Sequence, residues 1–498
     1  MTQLRNGWAC ALWLSAAPVA MAMEEQRFDP VQAEEFAIAG SLAVAWADFD
    51  LDGQLDLVVS TKDDGIILYR QVDGVFANVS AEVGLPTQIE EIRGLAWGDF
   101  TGNGYPDLIA GSSVFPNPTR SYLYVNEGGH FTEEAEAREL AIPGRFSRQA
   151  SWIDVDNDGD LDLYAANRGG ANSLHLNTGG MFAALPDDAG VNDARRTVGA
   201  CWFDVTGNGR LDLFLANQSG DTDALWRNDG DGVFTDIAPE LGLDAAGRGE
   251  RDGGVGCAIG DFTNNGHFDI YVATYGANLL YRNNEDGSFT EVAAELGVDA
   301  PQYSVAAAWA DFDNDGLLDL MVIGYVYGED RIQSPANILY RNTGDGFEDV
   351  TARFPAINQG THGIEWADYD SDGAVDLVIT KGYTDVGGHF LFRNVLDEAA
   401  RRRGLNVLVT QADGQSVVPG AEVRLYGSDG SLWGSRLMNT GGGYNSQSAA
   451  PVHFGLPGEG PVTVEVTFMS ADGRVTQTLE GVDPSELAGQ PLIVARVP

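Results

Sequence analysis

The sequence predicts an all-β protein: a seven-bladed β-propeller followed by a small β-sandwich-like domain. Three observations predict it. One pattern recurs seven times, usually an aromatic two residues before an aspartate, then D-x-[DT]-x-[DN]-G-x-x-D, then an apolar run. The copies start at Asp48, Asp99, Asp154, Asp204, Asp261, Asp311 and Asp368, spaced by 51, 55, 50, 57, 50 and 57 residues. No long stretch shows a helical apolar period.

Each loop leads into a strand-like run, such as LDLVVS, LDLFLA or FDIYVA, and most copies add a second run such as LLYRN or FLFRN. A Gly/Asp turn follows, and then a G-x-F-T-[DE]-[IV]-A pattern, clearest at Gly232–Gly242 and Gly287–Gly297. Each unit therefore offers about four short strands, the size of a propeller blade. One such sheet cannot bury both faces; seven packed radially can.

The ends of the array follow from this. Residues 1–22 read as a secretory signal: Arg5, an apolar stretch from Trp8 to Val19, and the A-x-A site Ala20-Met21-Ala22. The expected location is secreted, periplasmic or extracellular. Residues 23–394 hold the repeats. The seventh unit stops at Asn394 without its last strand, while Phe28, Val31, Ala33 and Glu34 match Phe289, Val292, Ala294 and Glu295 of the fifth unit. The N-terminus is thus expected to supply the missing strand, burying Phe28 and Val31 on blade seven and removing two open sheet edges. Residues 395–404 read as a short helical linker, and 405–498 as a separate all-β domain of alternating runs such as VTVEVTF. Cys201 and Cys257 hold nearly matching places in successive repeats. They allow a disulfide between neighbours or two buried thiols, and the second is the favoured expectation.

Carboxylates at alternate positions of a tight turn point to a cage of hard oxygen donors, which suits Ca²⁺ with its 6–8 oxygen ligands. Positions 1, 3, 5 and 9 are the candidate ligands, and the glycine at position 6 permits the turn. Four loops are fully acidic: Asp48/Asp50/Asp52/Asp56, Asp154/Asp156/Asp158/Asp162, Asp311/Asp313/Asp315/Asp319 and Asp368/Asp370/Asp372/Asp376. Three use Thr and Asn: Asp99/Thr101/Asn103/Asp107, Asp204/Thr206/Asn208/Asp212 and Asp261/Thr263/Asn265/Asp269. Up to seven Ca²⁺ are expected, held more weakly in the second group. The competing reading is an Asp/Gly turn whose side chains cap their own backbone.

The 498 residues carry 74 Asp+Glu against 29 Lys+Arg, a formal net charge of −45. That surface repels phosphate backbones and anionic lipid, so nucleic-acid binding is excluded as a main role. Beyond the signal, no run is long and apolar enough to insert in a membrane.

The seven loops with their strands resemble FG-GAP (VCBS-type) repeats, the calcium-bearing blades of integrin α-subunit propellers. The last domain resembles ASPIC/UnbV in Gly420–Leu425, Gly441–Ser448 and Val452–Leu456. The usual Trp-Pro-Ser-Gly of that pattern is replaced by Met469-Ser470-Ala471-Asp472-Gly473. The combination is similar to the cartilage acidic protein family and implies calcium-dependent extracellular binding or adhesion, with a protein or carbohydrate partner.

No catalytic signature is found, so the chain is read as a non-enzyme. The alternatives are a lyase-like, polysaccharide-active propeller and a purely structural, calcium-stiffened scaffold. His362 and Glu365 form a candidate acid/base pair, with a structural polar role favoured. The Gly441–Tyr444 run is better suited to a turn or a packing site than to a phosphate loop. Variable loops such as Phe115–Arg120, Ala245–Gly254 and Tyr325–Ser334 are the expected ligand-binding surface.

Overall fold

The computed structural model describes residues 26–113, 120–142, 147–300, 303–326, 334–382, 388–487 and 489–497. The expected signal segment lies outside these residues, as do most of the loops 115–120 and 325–334. Among the described residues, seven antiparallel sheets each contain four strands, in meander order in six of them, and two sheets carry one further short strand. The first runs Ser41–Ala47, Asp56–Thr61, Ile66–Val72 and Val75–Asn78. The innermost strand of each sheet packs beside those of the next and the preceding sheet, and the seventh packs on the first, so the sheets form a closed ring. The chain is all-β in a propeller arrangement.

Close approach of the inner strands selects small residues. A Cβ added at Gly94 would lie 2.0 Å from the Arg148 carbonyl oxygen of the next blade, so no larger residue fits there. Six inner strands carry a register shift near their start, for example between Ile92 and Gly94 and between Thr197 and Gly199. Such bulges sharpen the local twist that splays each sheet from the axis.

The residue two before the Asp loop is aromatic in six copies (Ile259 in the fifth), and in three of them it stacks across to the neighbouring blade. Trp46 of blade one stacks on Tyr369 of blade seven (6.0 Å, 2°), Trp152 on Phe100 (5.3 Å, 9°) and Trp309 on Phe262 (6.0 Å, 6°). The partner is the residue at position 2 of the neighbouring loop. The loop pattern therefore encodes the contact between blades as well as the turn.

The N-terminal strand Arg27–Pro30 completes blade seven, pairing antiparallel with Phe390–Val395 in the register Phe28 to Asn394. Phe28 is buried against Phe312, Phe354 and Trp366. Val31 departs from expectation: it is half-buried, and it packs at the seam between blades seven and one. The reason is that the chain leaves the strand at Pro30 and turns toward blade one. The cysteines also depart from the favoured expectation. Cys201 and Cys257 are disulfide-bonded, joining the inner strands of blades four and five at a Cα separation of 6.3 Å. The radial packing brings equivalent positions of adjacent blades within bridging distance.

Asp397 caps the short helix Glu398–Arg401 by accepting from the Ala400 N–H at 2.8 Å. Beyond it lie a four-stranded antiparallel sheet and a three-stranded sheet in which Gly404–Thr410 runs parallel to Leu492–Ala495. The two enclose their own core around Val407, Val423, Phe454 and Val464. This domain sits on the Asp-loop face of the ring and sends one loop into it. Ser446–Gln447 pairs with the inner strand of blade two. Ser448 Oγ accepts from the Trp46 N–H (3.0 Å), Gln447 Oε1 from Trp152 (2.7 Å) and Thr440 Oγ1 from Trp202 (3.2 Å). The glycine-rich run at 441–443 is thus a packing segment in the axial channel.

Candidate metal centre

Each Asp loop is built by the same backbone. Position 4 is left-handed in all seven copies: Leu51, Gly102, Asn157, Gly207, Asn264, Asn314 and Ser371. So is the glycine at position 6, from Gly53 (φ 90°) to Gly373 (φ 89°). The preference for Gly and Asn at position 4 follows from the low cost of that conformation for them. This position escaped the sequence pattern.

The side chains then divide their work. The position 1 carboxylate accepts from the position 6 N–H in every loop, for example Gly53 to Asp48 at 2.9 Å and Gly266 to Asp261 and Gly316 to Asp311, both at 2.8 Å. Position 5 accepts from the position 7 N–H, as in Gln54 to Asp52 and His267 to Asn265, both 2.9 Å. Position 9 is the most deeply committed. Asp56, Asp107, Asp162, Asp212, Asp269, Asp319 and Asp376 each accept from a loop N–H and from the N–H of the third strand, as Asp56 does from Phe49 and Gln71. Self-capping of the turn, the competing reading, is therefore present in every copy.

Convergence is added to it in the four all-acidic loops. Carboxylate oxygens of Asp48/Asp50/Asp56, Asp154/Asp156/Asp162, Asp311/Asp313/Asp315 and Asp368/Asp370/Asp376 lie within 4.8 Å of one another. Asp52, Asp158 and Asp372 fall outside these triplets, and in loop six Asp315 takes the place of Asp319; position 5 caps the position 7 N–H in all four loops. Burial and the neighbouring aspartates push the carboxyls up: Asp48 to about 6, Asp154 to about 7 and Asp311 to about 8. Buried oxygens Asp50 Oδ1, Asp154 Oδ1 and Asp313 Oδ1 have no hydrogen-bond partner. Clustered, acceptor-only and partly orphaned oxygens fit a hard divalent cation, so these clusters can hold a metal ion.

The other three loops are less open. Thr101 Oγ1 donates to Asp99 and Asp107, both at 3.2 Å, and Thr206 Oγ1 reaches Asp212 at 3.5 Å, while Thr263 is exposed. The position 5 asparagines, expected as ligands, are engaged in the turn itself. Asn103 Oδ1 accepts from the Tyr105 N–H and Asn208 Oδ1 from the Arg210 N–H, both at 2.9 Å, as Asn265 does from His267. Asn103, Asn208 and Asn265 cap position 7 as Asp52, Asp158 and Asp372 do, and their uncharged amide oxygens would give a cation weaker ligands than those aspartates. Asn103 also spends its amide N–H on the Asn126 carbonyl.

The last domain takes up further carboxylates. Arg474 pairs with Asp204 at 2.8 Å, Ser416 donates to Asp99 at 2.6 Å and Asn406 to Asp368 at 2.7 Å. The turn ending at Gly473 that replaces Trp-Pro-Ser-Gly packs on Gly209 of the fourth loop.

Two further features were not read from the sequence. The Asn (or Gln71) at or near the end of each third strand ties adjacent loops together: Asn126 Nδ2 donates to the Phe49 carbonyl, Asn342 to Phe262 and Asn394 to Phe312, at 2.7–2.9 Å. Its regular recurrence in the LYRN-type runs was the available signal. The second is the docking of the last domain on the loops, which no local pattern encodes. His362 and Glu365 have separate partners: His362 stacks on Tyr325, and Glu365 accepts from Ser446 Oγ at 3.1 Å.

Family models agree with this architecture. The FG-GAP-like repeat matches residues 48–110, 154–215, 204–272, 261–322 and 326–379, more than half of the chain, and the ASPIC and UnbV model matches 412–487. Cartilage acidic protein 1 of Xenopus tropicalis is 23% identical over 488 residues, covering 89% of this chain and 74% of that protein. The human protein of that name is 28% identical over 259 residues, covering 50% of this chain and only 37% of its own length. A solved structure of BBS1N in complex with ARL6DN superposes at a TM-score of 0.47 with 10% identity, covering 75% of this chain and 98% of that one. Among the described residues no helix is long and apolar enough to cross a membrane. The chain belongs to the family of FG-GAP-like repeat proteins, with a C-terminal ASPIC and UnbV domain.

Proposed function

We propose that the protein is an exported calcium-binding propeller that acts as an extracellular recognition or adhesion module for a protein or carbohydrate ligand, without catalysis. The observation that carries the calcium assignment is the convergence of three carboxylates in each of four loops, three of them with a buried oxygen lacking a partner. Asp48, Asp50 and Asp56 would hold one ion, Asp154, Asp156 and Asp162 a second, Asp311, Asp313 and Asp315 a third, and Asp368, Asp370 and Asp376 a fourth. The bound cation would neutralise carboxylates that otherwise repel across each loop. A non-enzymatic role is supported by the relatives' name and by the separate engagements of His362 and Glu365. Isothermal titration with CaCl₂ after chelation tests the assignment. Saturable binding of four or more ions is expected, and binding of none would refute it.

A further inference from the structure

Each inner strand ends one residue before its Asp loop, so the strand starts lie at the opposite mouth of the channel. Arg93 is second in Ile92–Gly98, Arg148 second in Ser147–Ile153 and Val198 second in Thr197–Phe203. Arg168, Gln218 and Tyr275 follow the ends of the adjoining second strands. With Tyr325, His362 and Tyr444 they enclose a cavity of about 240 Å³. Tyr444 belongs to the channel loop of the last domain, so the floor of this cavity is delivered from the other face of the ring.

The charge of the cavity is opposite to that of the molecule. The chain carries 74 acidic residues, yet among the described residues the lining holds three guanidiniums and no carboxylate. Arg93 is anchored by Glu91 and Arg148 by Ser113 Oγ at 3.0 Å, while Arg168 is exposed at the rim. Guanidiniums present planar forks that match oxyanions. Burial, then the charges of Arg93 and Arg148, lowers His362 to about 3, so it brings a neutral ring nitrogen.

The aromatic wall narrows the ligand further. Tyr275 contacts Tyr303 and Tyr325 at 5.4 and 6.3 Å, Tyr325 lies parallel to His362 at 6.4 Å, and Tyr444 meets His362 edge-on at 5.2 Å. Tyrosines combine an apolar face with a polar tip, which matches a pyranose ring and its hydroxyls. An inorganic anion would use only the arginines; a sugar acid uses both walls. The volume lies below the roughly 300–1,000 Å³ of drug-sized sites, which limits the occupant to about one ring.

We propose that this channel mouth binds a carboxylated sugar, a single uronate residue at the end of a glycan, with its carboxylate toward the arginines and its ring against the tyrosines. The test is calorimetry on the full chain in calcium, with a disaccharide ending in non-reducing glucuronate, its neutral glucose counterpart, and sodium sulfate. The acidic sugar is expected to bind at least tenfold more tightly than either. Arg168→Ala, at an exposed position, should weaken it tenfold or more without changing the melting temperature, and Tyr275→Ala should weaken it while sparing any sulfate binding. Equal affinity for the neutral sugar, equal affinity for sulfate, or unaltered binding by Arg168→Ala would each overturn the proposal. Calcium binding measured on the same samples reports on the Asp loops separately.

Discussion

Replacing Phe28 by alanine removes the side chain that seals the ring. Phe28 is 5% exposed and meets Phe354 edge-on at 5.4 Å, with Trp366 at 6.1 Å and Phe312 at 6.4 Å. Truncating a buried Phe costs about 3–5 kcal/mol through lost transfer energy and the cavity left behind. Unfolding entropy is roughly 2.1 cal/mol/K per residue, so about 370 propeller residues give about 0.8 kcal/mol/K and a fall in Tm of about 4–6 °C. Deleting Gln26–Phe36 should do more. It exposes the edge of Phe390–Val395 and removes the Gln26 amide from the Phe312 carbonyl. Differential scanning calorimetry and limited proteolysis read both variants, with first cleavage expected in blade seven. A Phe28→Ala protein melting within 1 °C of wild type, or a truncated protein equally resistant to protease, would show that the ring closes without this strand.

Chelation should lower the melting temperature, because an ion binding only the folded state adds about 2.7 kcal/mol per site at 100 times its Kd; an unchanged Tm would refute the assignment. Asp313→Ala should lower calcium stoichiometry at low free calcium while Thr206→Ala matters only near saturation, and seven equivalent sites in a titration would contradict the ranking. Calcium affinity should fall as pH drops through 8 to 6, since burial raises Asp311 to about 8 and Asp48 to about 6 and protons then compete with the metal; pH-independent titrations would contradict this. Burial raises Glu365 to about 8, so the folded state holds a proton that the unfolded chain has lost above about 4.5. Its contribution to stability therefore falls between pH 4.5 and 8. Glu365→Gln should raise Tm at pH 8 and flatten that slope, and an unchanged pH profile would contradict the burial argument.

The repeat made the blades legible because one residue type does several jobs at a fixed offset. The Asp at position 9 is strand start, loop brace and candidate ligand at once, so its period of about 50 residues marks every blade. The strand exchange was legible for a similar reason: Phe28 matches Phe289, and a blade lacking its fourth strand leaves an edge to fill. What lay beyond the sequence was long-range docking. The sequence 441–448 reads as a loop, and only the geometry of a closed ring shows that a Gly-rich segment can thread its narrow axis. Arg93 and Arg148 were equally hidden, because residues 55 apart gain meaning only when two strand starts meet at one mouth. The cysteine pair was decided by the same radial proximity, which spacing alone leaves open.

The all-acidic loops are not electrostatically alike, although their sequences make them look so. In blades one, six and seven the residue before the third-strand Asn or Gln is an arginine that reaches the loop: Arg70 pairs with Asp50, Arg341 with Asp313 and Asp315, and Arg393 with Asp370 and Asp372. Arg401 adds a second cation to loop seven at 3.5 Å. In blade three the same place is Leu176, and among the described residues no ion pair reaches Asp154, Asp156, Asp158 or Asp162. Counting side-chain charges, loop three keeps all four negative charges while loop seven is left with two. A guanidinium beside a carboxylate both lowers the cost of its burial and weakens its pull on a second cation. Loops one, six and seven thus carry a built-in substitute for part of the metal's charge, and loop three does not. The loop with the most uncompensated repulsion is also the one whose carboxylates are least shielded, so loop three is expected to bind a cation most tightly, and a titration in which Asp156→Ala leaves the tightest site intact would contradict this.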